Sequence, residues 1–287
     1  MMNQDKSDNF LLKARAFSWF FPQPTLIMGV VNLTPDSFSG DGFYGRSEEV
    51  LPYVERLISE GADLIDIGAV STRPGAKLVS ELEEFKRLLP MLRSICKSVH
   101  VPVSVDTTSA RIAEASLDTG CHFINDISGL RQDPEIAKVA AKYSAGLILM
   151  HSRGTPENMQ DLVQYDDLVE DICRELENGL NKALQMGVDG NHIVLDPGLG
   201  FAKDAGQNYE ILAQLGKFKR FGRPILVGPS RKSFIGSVTK KSFQERVYGT
   251  AAAAALAVAN GTQIVRVHDV AAIRDAVRVS EEVLKYS

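Results

Sequence analysis

The sequence predicts a single-domain (β/α)8 barrel of the TIM type, and three observations point there. Eight short β-branched apolar runs recur along the 287 residues, helical patterns with readable start signals separate them, and no GxGxxG follows the first run. The length suits one barrel and does not require two domains.

The runs are TLIMGVV from Thr25, DLIDIGA from Asp63, VPVSVD from Val101, HFIND from His122, GLILMH from Gly146, HIVLDPG from His192, PILVGPS from Pro224 and IVRVHD from Ile264. Each is continuous rather than alternating, as strands covered on both faces are. Between them, Ser80 with Glu83, Asp167 with Glu170 and Ser242 with Glu245 have capping-box spacing, and Asp133 precedes Pro134 as an N-cap precedes a first-turn proline. Leu82, Phe85, Leu88, Leu89, Leu92 and Ile95 make one helical stripe, which Pro90 is expected to kink. A strand spacing of roughly 30 to 40 residues fits parallel βαβ units. Residues 1–24, with Phe10, Phe17, Trp19, Phe20 and Phe21, read as an extension covering the barrel floor, and residues 25–287 as the barrel.

A formal net charge of -4 offers no basic face for a nucleic-acid backbone. Cys96, Cys121 and Cys173 form neither a CxxC pair nor a disulfide framework, so a reducing, cytoplasmic setting is expected. The polar N-terminus and the lack of an 18-residue apolar stretch argue against a signal peptide and a membrane partner.

In such barrels the loops after the strands build the active site. The strand ends carry Asn32 and Asp36, Thr72 and Arg73, Asp106, Asn125, His151, Asp196, the group Ser230-Arg231-Lys232, and Arg266 with His268. Singly, each could be a helix cap, and Arg231 and Arg266 could be salt-bridged rim residues. Asp106 and Asn125, however, have other candidate caps just downstream. Asp106, Asn125 and Asp196 together suit a flat heterocycle with several N–H donors. Arg73, Lys232, Arg266 and His268 suit phosphate oxygens. The segments MGVVNLTPDSFSGDGF and STRPGA read as mobile lids. No zinc spacing is present, and the oxygen donors of Asn32 and Thr72 suit magnesium bridged to a diphosphate.

These segments resemble the dihydropteroate synthase family, in order, from Thr25 to Leu284. MGVVNLTPDSFSGDG, DIGAVSTRPGA, SVDTT, INDISG, LMH, LDPGLGFAK, GPSRKSFIG and RVHDV carry the likeness. The resemblance implies a transferase that joins a pterin-methyl diphosphate to 4-aminobenzoate in folate synthesis, with Mg2+, as a cytoplasmic homodimer and sulfonamide target. It implies that Asp106, Asn125, Asp196 and Lys232 hold the pterin, with Ile127, Met150 and Gly228 among the substrate contacts. Asn32 would take the metal, Arg266 and His268 the diphosphate, and Phe38, Pro74, Phe201 and Ser233 the 4-aminobenzoate. Thr72 and Arg73 would come from the second loop, and Asp36 and Arg73 would tie the loops together. Two departures stand out: HSRGTPENMQ lacks the second Met common after the His, leaving Ser152 and Arg153 without a role, and FAKDAGQN lacks a second Gly. A corrinoid-linked pterin methyltransferase would keep the Asp, Asn and Asp contacts but has no use for the diphosphate residues. A non-enzymatic pterin binder would be expected to lose them.

Overall fold

The structure, a computed structural model, describes residues 9–34, 47–73, 75–76 and 79–286. Among them the chain opens with an antiparallel hairpin, β1 (Phe10–Ala14) and β2 (Phe17–Phe21). Eight parallel strands follow: β3 (Leu26–Asn32), β4 (Leu64–Gly68), β5 (Val103–Asp106), β6 (Phe123–Asp126), β7 (Gly146–Met150), β8 (Ile193–Asp196), β9 (Leu226–Val227) and β10 (Ile264–Val267). Their order, β8-β7-β6-β5-β4-β3-β10-β9, is closed by one parallel bridge between Leu195 and Ile225 and by the Leu195 amide donating to the Pro224 carbonyl at 3.0 Å. All eight predicted runs are strands of one barrel. The PILVGPS run supplies only two ladder residues, because its second half turns away as the Gly228-Pro229 loop.

The helices are α1 (Ser47–Ser59), α2 (Glu81–Ser98), α3 (Ala110–Asp118), α4 (Glu135–Tyr143), α5 (Leu168–Gln185), α6 (Ala205–Ala213), α7 (Ser233–Thr239), α8 (Val247–Ala259) and α9 (Val270–Leu284). Ser80 caps α2 and Asp167 caps α5, each accepting from the amide three residues on, while Ser242 and Glu245 complete a reciprocal box on a 3-10 turn. The Asp133 carboxylate accepts from the amide of Glu135, the first residue of α4, while Pro134 rather than Asp133 stands at the cap position. α2 runs unbroken through Pro90, stapled to the barrel by buried Leu88, Leu89, Leu92 and Ile95.

Strand side chains alternate between barrel interior and helix layer. Leu64, Phe123, Ile148, Val194, Leu226 and Ile264 form one inner layer, joined by Leu26 and Met28. Leu12, Ala14 and Phe21 of the hairpin pack into this same cluster, at the strand N-termini. Two residues further along those strands stand Asp66, Asn125, Met150, Asp196, Gly228 and Arg266. The period-2 pleat therefore sets a polar layer directly on an apolar one. Ile65, Ile67, Ile124, Leu147, Leu149, Ile193, Leu195 and Val265 face outward into the large core under the helices.

Candidate active site at the barrel mouth

A cavity of about 420 Å³ opens at the strand C-termini. Of the expected site residues, Asn32, Thr72, Arg73, Asp106, Phe201, Gly228, Lys232, Ser233, Arg266 and His268 line it. Asn125, Ile127, Met150 and Asp196 do not. Asn125 and Asp196 are buried in the polar layer, while Met150 lines a second cavity of about 390 Å³ beside α5. Asp36, Phe38 and Pro74 lie outside the described residues. Val30, Thr34, Ser230, Arg231, Phe243 and Arg246 also line the mouth without having been predicted as binding residues.

One hydrogen-bonded chain organises the floor. Asp66, fully buried in β4, accepts through Oδ2 from Arg266 Nε at 2.7 Å and from Asn125 Nδ2 at 3.1 Å. Arg266 Nη2 reaches Asp106 Oδ2 at 3.4 Å. Sequence reading missed Asp66 because it sits inside an apolar run. Its signal was the alternation Leu64, Asp66, Gly68, which gives it the inward register of the polar layer. Arg266 is thus ion-paired as well as cavity-facing, and Arg231 forms a two-pronged pair with Asp269 at 2.9 and 2.6 Å. Ser109 caps α3, which leaves Asp106 free of that duty.

Burial sets the charge states. Desolvation, then the Asp66 charge, pushes Asp106 up to about 7, and desolvation pushes Asp196 up to about 6 although the Gly198 amide donates to it at 2.7 Å. Burial and then Arg266 pull Lys232 down to about 8. Burial would also lower Arg266, but Asp66 and Asp106 outweigh it and keep the guanidinium charged. His268, buried and beside Arg266, Arg231, Lys232 and Arg73, is pulled down to about 3 and is neutral. The Ser230 hydroxyl accepts from the His268 amide at 3.1 Å and lies 2.9 Å from Nδ1.

Two walls complete the mouth. Phe243 lies between Arg73 and Arg231, 5.1 and 5.3 Å from the ring centre. Phe201 lies 4.3 Å from Lys232 Nζ. The loop carrying Phe201 winds through left-handed residues: Gly198 at φ 73°, Gly200 at φ 81° and Ala202 at φ 50°. A Cβ at Gly198 would meet the His151 carbonyl at 1.9 Å, so glycine is required there. Ala202 stands where a second Gly was missing from the motif, and its left-handed backbone costs on the order of 1 kcal/mol. Ser152, unassigned by sequence, donates to the Ile127 carbonyl at 2.9 Å and accepts from Arg131.

The mouth thus has acids and an amide at its base and cations around its rim, on a barrel with an inner apolar layer. The family described as "Pterin binding enzyme" matches residues 28–268. The Synechocystis dihydropteroate synthase is 44% identical over 92% of this chain and 91% of its own length. A crystal structure of the Yersinia pestis dihydropteroate synthase with a sulfonamide drug superposes with a TM-score of 0.91 at 40% identity, covering 96% of this chain and 100% of that one. The Xanthomonas albilineans dihydropteroate synthase with 4-aminobenzoic acid gives 0.88 at 37%, covering 96% and 98%. Fold and site define a pterin-binding (β/α)8-barrel transferase. Within that class, the chain belongs to the dihydropteroate synthase family.

Proposed function

We propose that the chain condenses 6-hydroxymethyl-7,8-dihydropterin diphosphate with 4-aminobenzoate, giving 7,8-dihydropteroate and diphosphate. The observation that carries this reading is the Asn125–Asp66–Arg266–Asp106 chain, which joins an acidic floor to a cationic rim. Asp106, on the cavity wall, and Asn125 and Asp196, buried in the polar layer of the barrel, would offer acceptors and an amide to the N–H edge of a pterin. Its donors replace the hydration those buried carboxylates lack. Lys232 and Arg266 border the ring, and Arg266, His268 and Arg73 receive the diphosphate. The 4-aminobenzoic acid and sulfonamide held by the Xanthomonas and Yersinia relatives support the choice of amine, with Phe201 and Ser233, and Phe38 and Pro74 by resemblance, as its pocket.

The CH2–O bond breaks first, its electron pair leaving with the diphosphate. Arg266 and His268 stabilise that charge where it develops. Asp106 and Asp196 favour the cationic methylene left on the pterin. The amine lone pair then forms the C–N bond and its proton passes to diphosphate or water. Arg73 with Asp36 would help close the loops and exclude water. For magnesium, the Asn32 amide oxygen and the hydroxyls of Thr34 and Thr72 share the cavity wall, while no cluster of three acidic, His or Cys side chains gathers among the described residues. These hard oxygens fit Mg2+, which Asn32 would hold beside the diphosphate. When bound, Mg2+ would offset negative charge on the leaving group.

The hairpin is proposed to cover the barrel floor as part of one domain. A homodimer is proposed through α8, where Tyr248, Ala252 and Leu256 fall at four-residue spacing and Tyr248 and Leu256 are exposed. Sedimentation of wild type against Leu256→Asp tests it, and identical profiles refute it. No described helix is long and apolar enough to cross a membrane. A reducing cytoplasm is proposed because the cysteines form neither a CxxC pair nor a disulfide framework in the sequence; Cys96 and Cys121 place their Sγ atoms 3.8 Å apart, a proximity the sequence spacing did not reveal. The decisive assay for the reaction is diphosphate release from the pterin substrate on adding 4-aminobenzoate. Release at the same rate without the amine refutes it.

A further inference from the structure

Lys203 is buried, yet it does not line the mouth cavity. Its Nζ donates to the Phe201 carbonyl at 2.8 Å and lies 3.0 Å from His151 Nδ1. Lys203 Nζ donating into Nδ1 leaves the ring proton on Nε2, which lies 3.0 Å from Glu175 Oε2. The other carboxylate oxygen of Glu175 accepts from Arg153 Nε at 3.0 Å and Nη2 at 2.5 Å. The Arg153 guanidinium stacks 3.9 Å from the Tyr165 ring centre, and the Tyr165 hydroxyl donates to the Ala202 carbonyl at 2.8 Å. The circuit therefore starts and ends on two consecutive carbonyls, Phe201 and Ala202, in a loop where Ala202, unlike Gly198 and Gly200, holds a left-handed backbone at a steric cost. Burial keeps His151 neutral, at about 3, which suits it to accept from Lys203.

We propose that Lys203, His151, Glu175, Arg153 and Tyr165 form a positioning network that holds the 198–202 loop and thereby sets the Phe201 wall of the aromatic-amine pocket. None of the five touches the mouth cavity, so they act through the loop. The inference gives Arg153 the role its sequence motif left open. It rests on the reading of Phe201 as a contact for the amine. A merely structural cluster would lower stability without distinguishing between the two substrates.

The test uses Lys203→Met and Tyr165→Phe. Lys203→Met should raise KM for 4-aminobenzoate about tenfold and Tyr165→Phe about threefold, with KM for the pterin diphosphate within about twofold of wild type in both. Hydrogen exchange should speed up about tenfold at the backbone amides of 198–203 in Lys203→Met, while β6 and β7 stay protected. Tyr165→Phe removes one hydroxyl and carries both readouts if Lys203→Met does not fold. Equal rises in both KM values, no KM change, or unchanged exchange at 198–203 overturns the network. If the wild-type protein turns over neither substrate, the reading of the reaction fails, and the exchange measurement alone decides whether the circuit holds the loop.

Discussion

Asp66→Asn is the most informative perturbation of the floor. Asp66 is fully buried and its Oδ2 serves both Arg266, at 2.7 Å, and Asn125, at 3.1 Å. Removing one partner of a buried ion pair costs about 3 to 5 kcal/mol. The isosteric amide still accepts one of the two hydrogen bonds, which brings the expected cost to about 2 to 3 kcal/mol. A chain of 287 residues unfolds with an entropy of roughly 0.6 kcal/mol/K, so Tm should fall by about 3 to 5 °C. The same change acts on Asp106, whose carboxyl is pushed up to about 7 by burial first and by the Asp66 charge second. Without that charge the Asp106 pKa falls, its ionised form survives to lower pH, and the acidic limb of kcat/KM for the pterin diphosphate moves toward acid. Thermal melts and a pH-rate profile read the two effects. An acidic limb that stays in place or moves to higher pH would refute the coupling of Asp66 to Asp106, and an unchanged Tm would refute the buried ion pair.

Asp106→Asn and Lys232→Ala should each lower turnover at least a hundredfold, an effect on the order of 3 kcal/mol in the transition state. Asp106→Asn should do so without loss of stability at pH 8: a carboxyl raised from 3.8 to about 7 stabilises the fold below its unfolded pKa, and that stabilisation is lost as pH rises through 7. Near-normal rates in either variant would remove these residues from the machinery. Calorimetry should show the pterin diphosphate binding at least tenfold more weakly when Mg2+ is chelated, about 1.4 kcal/mol, and equal affinity would exclude Asn32 as a metal contact. Burial raises Glu175, but hydrogen bonds from His151 and Arg153 more than offset it and hold the carboxyl down to about 2. Its stabilisation is present above pH 4.5 and fades as pH falls toward 2. The wild-type advantage over Glu175→Gln in acid unfolding should shrink across that window, and a constant difference would contradict the pairing.

The eight strands were legible because a barrel strand is covered on both sides, and burial on both faces leaves an uninterrupted apolar run in sequence. The same coverage hid Asp66: in a run apolar on both faces the inward register shows only once the strand is placed, and an acid among apolar neighbours gives no sign of its partners. Asn32, Asp106, Asn125, Asp196 and Arg266 were legible as a set because each falls at or next to the last residue of a strand. Phe243 and Arg246 were not, because they sit on a 3-10 turn that reaches the mouth only by folding back over it.

Local sequence determined the strands, the caps, the balance of acids and bases at the mouth and the family likeness, since these depend on residue type and near neighbours. Tertiary structure alone decided which groups meet. Asp66 and Arg266 stand 200 residues apart in the chain, and Lys203 and His151 stand 52 apart. Their pairing, and the pKa shifts that follow from it, exist only because barrel closure brings strand ends into one dry layer. There desolvation makes an unpaired charge too costly to leave alone.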